Sequence, residues 1–419
     1  MPDANPYNYN LPVEPAMFFG RDADVAALAQ KLTGAPGDSI ALVGGRRMGK
    51  TSMLEALRRA LEVPAADMLA LPILLDLSGE GLDSADDLFR LVAEQARDAL
   101  APDLALPPID PALFGPGQPP APAFRRLLEG WGRAALARRG ARLRLILLLD
   151  ECEEIVEQPW AADLHTALRA LLVGQSTRAL LKVVMAGSHR FLTQVRQRGS
   201  PLWNVLVYHM LAVLGDTAAR ALLSAPAAGH FAEPAVAAIL EQSGGQPFLT
   251  QYLAYQLWSL APDRATPEAA RQAAAAFQRE RHDFADWADG LGVEGLRVYA
   301  ALAEAGALSE AELRARLPAQ ANLPQLLDAL CYHGVAAVAS GGARFQVAGA
   351  MFRDWFAANS PAPRQASPPP LPPEAIEDKR RRLKLLERQQ AQHGIQTPPH
   401  IVIEIEDLRR ELASLPGAG

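Results

Sequence analysis

A chain of 419 residues with 49% hydrophobic side chains can build two or three domains with large cores, which excludes a disordered polymer. Its net charge of −6 gives no global basic footprint, so nucleic acid is not a default partner. The two cysteines, Cys152 and Cys331, rule out a disulfide framework and fit a reducing compartment, so a cytoplasmic location is expected.

The first segment, MPDANPYNYNLPVEP, has neither a basic n-region nor an apolar h-region and is not expected to act as a signal peptide. Apolar runs such as LILLLD are too short to span a bilayer, so no membrane association is expected. Up to about residue 220 strand and helix signals alternate, the pattern of a parallel α/β sheet. SIALVGG is the first strand and TSMLEALRRALE the helix after it. LALPILLDL (69–77) is the second strand, and SADDLFRLVAEQARDAL the next helix, with Ser84 as its N-cap. Residues 107–122 form a proline-rich excursion, and a helix over 123–138 leads into the strand RLRLILLLDECEE. LLKVVMAGS (180–188) and the weaker VYHMLAVLG (207–215) complete the strands.

After about residue 216, Ala/Leu-rich helices are expected at 216–224, 233–243, 247–260 and 267–285. Residues 294–357 read as three short helices followed by a hairpin turning at Gly341-Gly342, the pattern of a winged helix. SPAPRQASPPPLPP is a polyproline-type linker. Beyond it Leu383 and Leu386, and then Ile401, Ile405, Leu408 and Leu412, recur at helical spacing, so two helices could zip together or onto a partner. The expected domains are therefore 1–225, an α/β core; 226–290, a helical lid; 291–359, a winged helix; 360–373, a linker; and 374–419, a helical segment.

The chemistry concentrates at three strand ends. Gly44, four residues, then Gly49, Lys50 and Thr51 form the phosphate-loop pattern G-x-x-x-x-G-K-[ST] between a strand and a helix. Glycines let successive N–H groups converge on phosphate oxygens, and the helix dipole adds to them. Lys50 would reach the β- and γ-phosphates and Thr51 would hold Mg²⁺, with Gly45, Arg46, Arg47, Met48 and Ser52 completing the loop around bound ATP. Asp150 and Glu151 end an apolar strand where such sheets bind ligands; Asp150 would hold Mg²⁺ and Glu151 polarise the attacking water. Glu153 and Glu154 read as a solvated face. Ser188 and Arg190 end the neighbouring strand, where polar groups can sense a γ-phosphate.

Two further motifs carry a resemblance. FFGRDADVAAL before the phosphate loop resembles the F-x-G-R-x-x-E box of AAA-like and STAND ATPases (signal-transduction ATPases with numerous domains), and GGQPFLTQYLA resembles the G-x-P motif of STAND lids. The resemblance covers about residues 6–357 and implies an α/β P-loop ATPase core, a lid and a winged helix. It implies that Phe19, Gly20 and Arg21 flank the base and that Pro247 contacts the nucleotide. Asp22-Ala23-Asp24 departs from the glutamate-bearing step, and no arginine finger is assigned: Arg46, Arg47, Arg190 and a neighbouring subunit are the candidates. The tail is similar to a helical adaptor fused to bacterial STAND ATPases and effector domains, which implies a protein partner.

The expected activity is that of a slow ATPase acting as a switch between ADP and ATP states, with nucleotide-dependent homo-oligomers or recruitment of a partner as output. A DNA-associated ATPase of the initiator type shares the same core. Its recognition helix here, NLPQLLDALCYHG, carries Asp328 and no Lys or Arg, which disfavours duplex DNA.

Overall fold

All five apolar runs expected as strands pair in one parallel sheet. The computed structural model describes residues 5–359, apart from positions 36, 66, 115–118, 228, 318–319, 321 and 340–341, together with Arg381, Leu383, Lys384 and Leu386. The strands are β1 (Ser39–Val43), β2 (Met68–Asp76), β3 (Arg142–Asp150), β4 (Leu181–Gly187) and β5 (Leu206–Met210), in the order β2-β3-β4-β1-β5. Their helices are α1 (Asp22–Thr33), α2 (Lys50–Leu61), α3 (Ala85–Leu104), α4 (Pro120–Arg139), α5 (Glu153–Val156), α6 (Ala161–Val173) and α7 (His189–Arg196). Ser84 caps α3 as expected, its hydroxyl accepting the Asp87 N–H at 3.2 Å.

Burial on both faces explains the continuous apolar strands. One face of the sheet packs on α3, α4 and α6 through Phe89, Phe124 and Leu168; the other packs on α1 and α2 through Leu28, Leu54 and Leu57. Arg144, inside β3, and Lys182, inside β4, are charged exceptions, and Arg144 shows how such a charge is held. Its guanidinium donates to the carbonyls of Leu32 (2.8 Å) and Gly34 (2.7 Å), so a buried charge completes the C-terminal end of α1. That happens at the opposite end of the sheet from the site. At the carboxyl end, the adjacency of β3, β4 and β1 places Asp150, Ser188 and the phosphate loop side by side.

The chain continues through α8 (Asp216–Ser224), α9 (Glu233–Ser243), α10 (Pro247–Trp258), α11 (Pro267–Glu280) and α12 (Asp283–Ala305). The expected helix over 267–285 is thus two helices. Arg281 leaves helical space at φ −124°, ψ 145°, and the chain restarts at Asp283, an acidic residue in the first turn of α12 that also binds Arg281 at 2.8 Å. α12 then runs on through the segment EGLRVYAALAEAG, bending at Gly292 (φ 63°, ψ 176°).

Next come β6 (Leu308–Ser309), α13 (Glu310–Arg316), α14 (Leu323–Tyr332), β7 (Ala336–Val338), β8 (Arg344–Val347) and α15 (Ala350–Asn359). β7 and β8 are antiparallel, and β6 adds a third strand on the far side of β8 that the sequence reading lacked. Their turn includes positions 340–341, outside the described residues. The molecule divides into Met1–Trp355 and Phe356–Gly419. The linker 360–373 and most of the segment 374–419 lie outside the described residues; Arg381, Leu383, Lys384 and Leu386 are helical.

Candidate nucleotide site

β1 delivers the chain into a loop whose curl needs two left-handed residues, Arg47 at φ 63° and Gly49 at φ 91°. Gly49 then serves as N-cap of α2, so Lys50 and Thr51 open the helix at its positive end. Lys50 is 9% exposed and its ammonium donates to the Gly44 carbonyl at 3.1 Å. Met48 borders the cavity, but its side chain is buried in the core between sheet and α2.

β3 ends two strands over, with β4 between. Asp150 is 3% exposed, accepts from the Thr51 hydroxyl and takes the Glu151 N–H at 3.0 Å. Burial raises its pKa, opposed by those hydrogen bonds and by Lys50. A hydroxyl and a carboxylate oxygen already in contact are hard ligands of the kind Mg²⁺ takes, so the pair fits that ion. Glu151 is held at φ 51°, a conformation rare outside glycine, at the mouth of the cavity. Burial first, then the neighbouring Glu153 carboxyl, pushes its pKa up to about 7. Glu153 is therefore not on a solvated face. It is half-buried, lines the cavity, and accepts the Ser188 N–H at 3.0 Å; Glu154 alone is exposed.

Ser188 borders the cavity and Arg190 does not. The first two residues of α7 carry Arg190 outward, where it pairs with Glu157 at 2.6 Å, both side chains more than 70% exposed. The expectation that Arg190 senses phosphate is corrected by that geometry.

The cavity encloses about 550 Å³ between the phosphate loop, Glu151 and Glu153, the segment 8–13, residues 17–19 and the start of α10. Phe19, Arg21, Arg46, Arg47, Thr51, Ser52 and Pro247 all border it. Arg21 spends its guanidinium on the Ala212 carbonyl and on Asp24 at 3.6 Å. Gly20 stands behind the wall at φ 71°, where a Cβ would lie 2.2 Å from that of Ala218. Gly44 and Gly45 form the buried floor of the loop.

Sequence reasoning missed two contributors. The first is the N-terminal strap: Tyr7 is buried with its hydroxyl on the Leu223 carbonyl (2.8 Å), Tyr9 packs edge-on against Tyr252 and Tyr255, and the Val13 N–H donates to the Ser52 hydroxyl at 3.1 Å. The only signal was a pair of tyrosines in a polar, non-helical stretch. The second is Tyr332, the last residue of α14. Its carbonyl accepts the Gly45 N–H at 2.8 Å and its hydroxyl accepts the His189 N–H at 2.8 Å. A Cβ on Gly45 would come 2.6 Å from the Tyr332 oxygen, so glycine is required for this approach. Arg196 of α7 and Asp328 of α14 add an ion pair at 3.6 Å to the same seam.

With that geometry in place, comparison with known proteins is decisive for the family. The profile of the novel STAND NTPase 1 family matches residues 10–280, from the strap through α11. The chain belongs to the novel STAND NTPase 1 family. No curated protein matches it at a significant level. A Walker-type ATPase of Pyrococcus abyssi has a similar structure, with a TM-score of 0.51 at 16% identity over 81% of this chain and 96% of that one. The ADP form of the Aeropyrum pernix ORC2 protein matches at 0.44 and 15% identity over 84% and 97%. The Thermotoga maritima RuvB branch migration motor matches at 0.37 and 14% identity over 80% and 94%. These identities speak to fold alone, and only the first score is high enough to bear on it. This STAND NTPase has an α/β P-loop core with a helix-rich C-terminal part, and among its described residues no helix is long and apolar enough to cross a membrane.

Proposed function

We propose that this STAND NTPase is an ATP-operated switch in which nucleotide at the phosphate loop controls the docking of α14. The observation that carries the reading is Tyr332, a single residue from the C-terminal part bonded to both the phosphate loop and the amide that follows Ser188. In this reading α12–α15 with β6–β8 act as a winged helix that moves as a body against the core.

The roles of the chain's own residues follow from their positions. Amides of the phosphate loop and the Lys50 ammonium hold the β- and γ-phosphates, and the strap with Phe19 and Pro247 closes on the base and sugar. Thr51 and Asp150 would hold Mg²⁺, which when bound would neutralise the charge that builds on the phosphates. Glu151 orients water for attack on the γ-phosphorus, its carboxylate receiving the proton as the bond to the β-phosphate oxygen breaks. Ser188, fixed through its amide to Glu153, keeps the β4 end beside that reaction.

Nucleotide moves the switch only by binding its two states with different affinity. The freed surface then serves self-assembly or a protein partner recruited by the apolar residues that recur at helical spacing in the sequence of 374–419. The DNA-associated reading gains no support: α14, its recognition helix, lies on the core with Asp328 paired to Arg196. Hydrogen exchange over residues 323–332 tests the switch. Faster exchange with a non-hydrolysable ATP analogue than with ADP is expected; identical exchange in both states contradicts it.

A further inference from the structure

Arg47 lies within the phosphate loop, half-buried and bordering the cavity. Its guanidinium sits 4.3 Å over the Phe248 ring and 3.4 Å from the Asp283 carboxylate. Phe248 directly follows Pro247 at the start of α10, and Asp283 is the first residue of α12. One side chain of the phosphate loop is thereby tied to two separate elements beyond the core.

Both anchors have a second arginine. Arg281 binds Asp283 at 2.8 Å and lies 5.5 Å over Phe248. Arg46, exposed and one residue earlier in the loop, makes no ion pair among the described residues. Two guanidinium groups thus share one carboxylate and a third, that of Arg46, adds its charge nearby, an excess of positive charge beside the loop where a triphosphate would end. Burial, and then Arg281 and Arg46, hold the Arg47 pKa down against the pull of Asp283.

We propose that Arg47 is the in-chain arginine that binds the terminal phosphate of a nucleoside triphosphate, and that Phe248 and Asp283 hold it when that phosphate is absent. The proposal rests on the nucleotide reading above and adds how the third phosphate is told from the second. Charge allows the exchange. When Arg47 turns to the phosphate, Asp283, only 14% exposed, keeps Arg281, so no buried carboxylate is left alone. Phe248 likewise keeps a cation over its face. The same turn removes both side-chain ties from the loop to α10 and α12, so a γ-phosphate is converted directly into a freed lid. Arg190 lies outside the cavity, and Arg46 has, among the described residues, no ion-pair partner that its movement would release.

The test is equilibrium binding of fluorescent ATP and ADP analogues, with steady-state turnover, on the full chain. Arg47→Ala should weaken ATP at least about tenfold while leaving ADP within about twofold, and lower turnover at least about 10²-fold. Arg47→Gly suits φ 63° and gives the same readout if the alanine variant folds poorly. Arg47→Lys keeps charge without the planar fork and should fall between. Asp283→Asn releases Arg47 and should raise the preference for ATP over ADP. An unchanged ATP-to-ADP ratio with wild-type turnover overturns the proposal, as does an equal loss of both nucleotides, which would mean that Arg47 only shapes the loop. Lys50→Ala separates the two layers. If it weakens both nucleotides while Arg47→Ala leaves the ratio intact, only this inference fails; if Lys50→Ala changes nothing, the nucleotide reading fails and takes this inference with it.

Discussion

Gly45→Ala probes the seam between the phosphate loop and α14 with a single methyl group. Gly45 is not among the residues at positive φ, so the backbone accepts alanine without strain. The new Cβ, however, would stand 2.6 Å from the Tyr332 oxygen and 3.2 Å from the His333 Cα, both backbone atoms that no rotamer change can clear. Reaching an ordinary contact near 3.4 Å requires α14 to withdraw by roughly 0.8 Å, which stretches the 2.8 Å bond from the Gly45 N–H beyond hydrogen-bond range. The Tyr332 hydroxyl, on the same residue, leaves the His189 N–H with it. Two such bonds are worth about 1 kcal/mol each, so the docked state loses about 2 kcal/mol and local opening rises about 30-fold. Hydrogen exchange over residues 323–332 in a folded Gly45→Ala protein reads that factor directly. Tyr332→Phe, which keeps the carbonyl and loses only the hydroxyl, should give about fivefold. Exchange within twofold of wild type in Gly45→Ala would falsify the latch geometry.

Three other outcomes are expected. Lys50→Ala should bind ATP at least about tenfold more weakly with the fold intact, since among the described residues the ammonium's one hydrogen bond is to the Gly44 carbonyl; calorimetric titration beside a melting curve checks both. Glu151→Gln should retain ATP but hydrolyse it about 10²-fold more slowly or worse, measured as phosphate release in single turnover, and unchanged release would make Glu151 a bystander. His165 is 3% exposed and burial lowers its pKa to about 4, while the unfolded chain takes its proton near 6.5. The unfolded state therefore binds more protons in between, so stability present above about pH 6.5 is lost as pH falls towards 4. At pH 5 the loss is about 2 kcal/mol, and urea melts of His165→Leu should show that much less pH dependence than wild type.

How far the sequence carries the structure depends on the range of the interaction. β3 is legible because a strand buried on both faces must be apolar throughout, and the phosphate loop because its spacing is fixed by its ligand. Ser84 is legible because a cap acts within one turn. Arg190 was misplaced because two residues of α7 are enough to rotate a side chain out of the cavity, and strand-end proximity says nothing about that rotation. Glu153 looked solvated because its partner, the Ser188 amide, comes from a different strand. The break at Arg281 was hidden within an Ala-rich helical pattern, since it is favoured by an ion pair and not by glycine or proline. Tyr7 and Tyr332 act on Leu223 and Gly45, across tertiary distances that no local periodicity encodes.

The claim that nucleotide controls the docking of α14 is tested most directly by a distance between spin labels, one on the exposed face of α14 at Gln325 and one on α4 at Leu136. The account predicts one short distance in the ADP-bound protein and a longer population that appears with a non-hydrolysable ATP analogue and vanishes in Lys50→Ala. A single unchanged distance in the ADP-bound and ATP-bound protein, with nucleotide binding verified in the same samples, would contradict it.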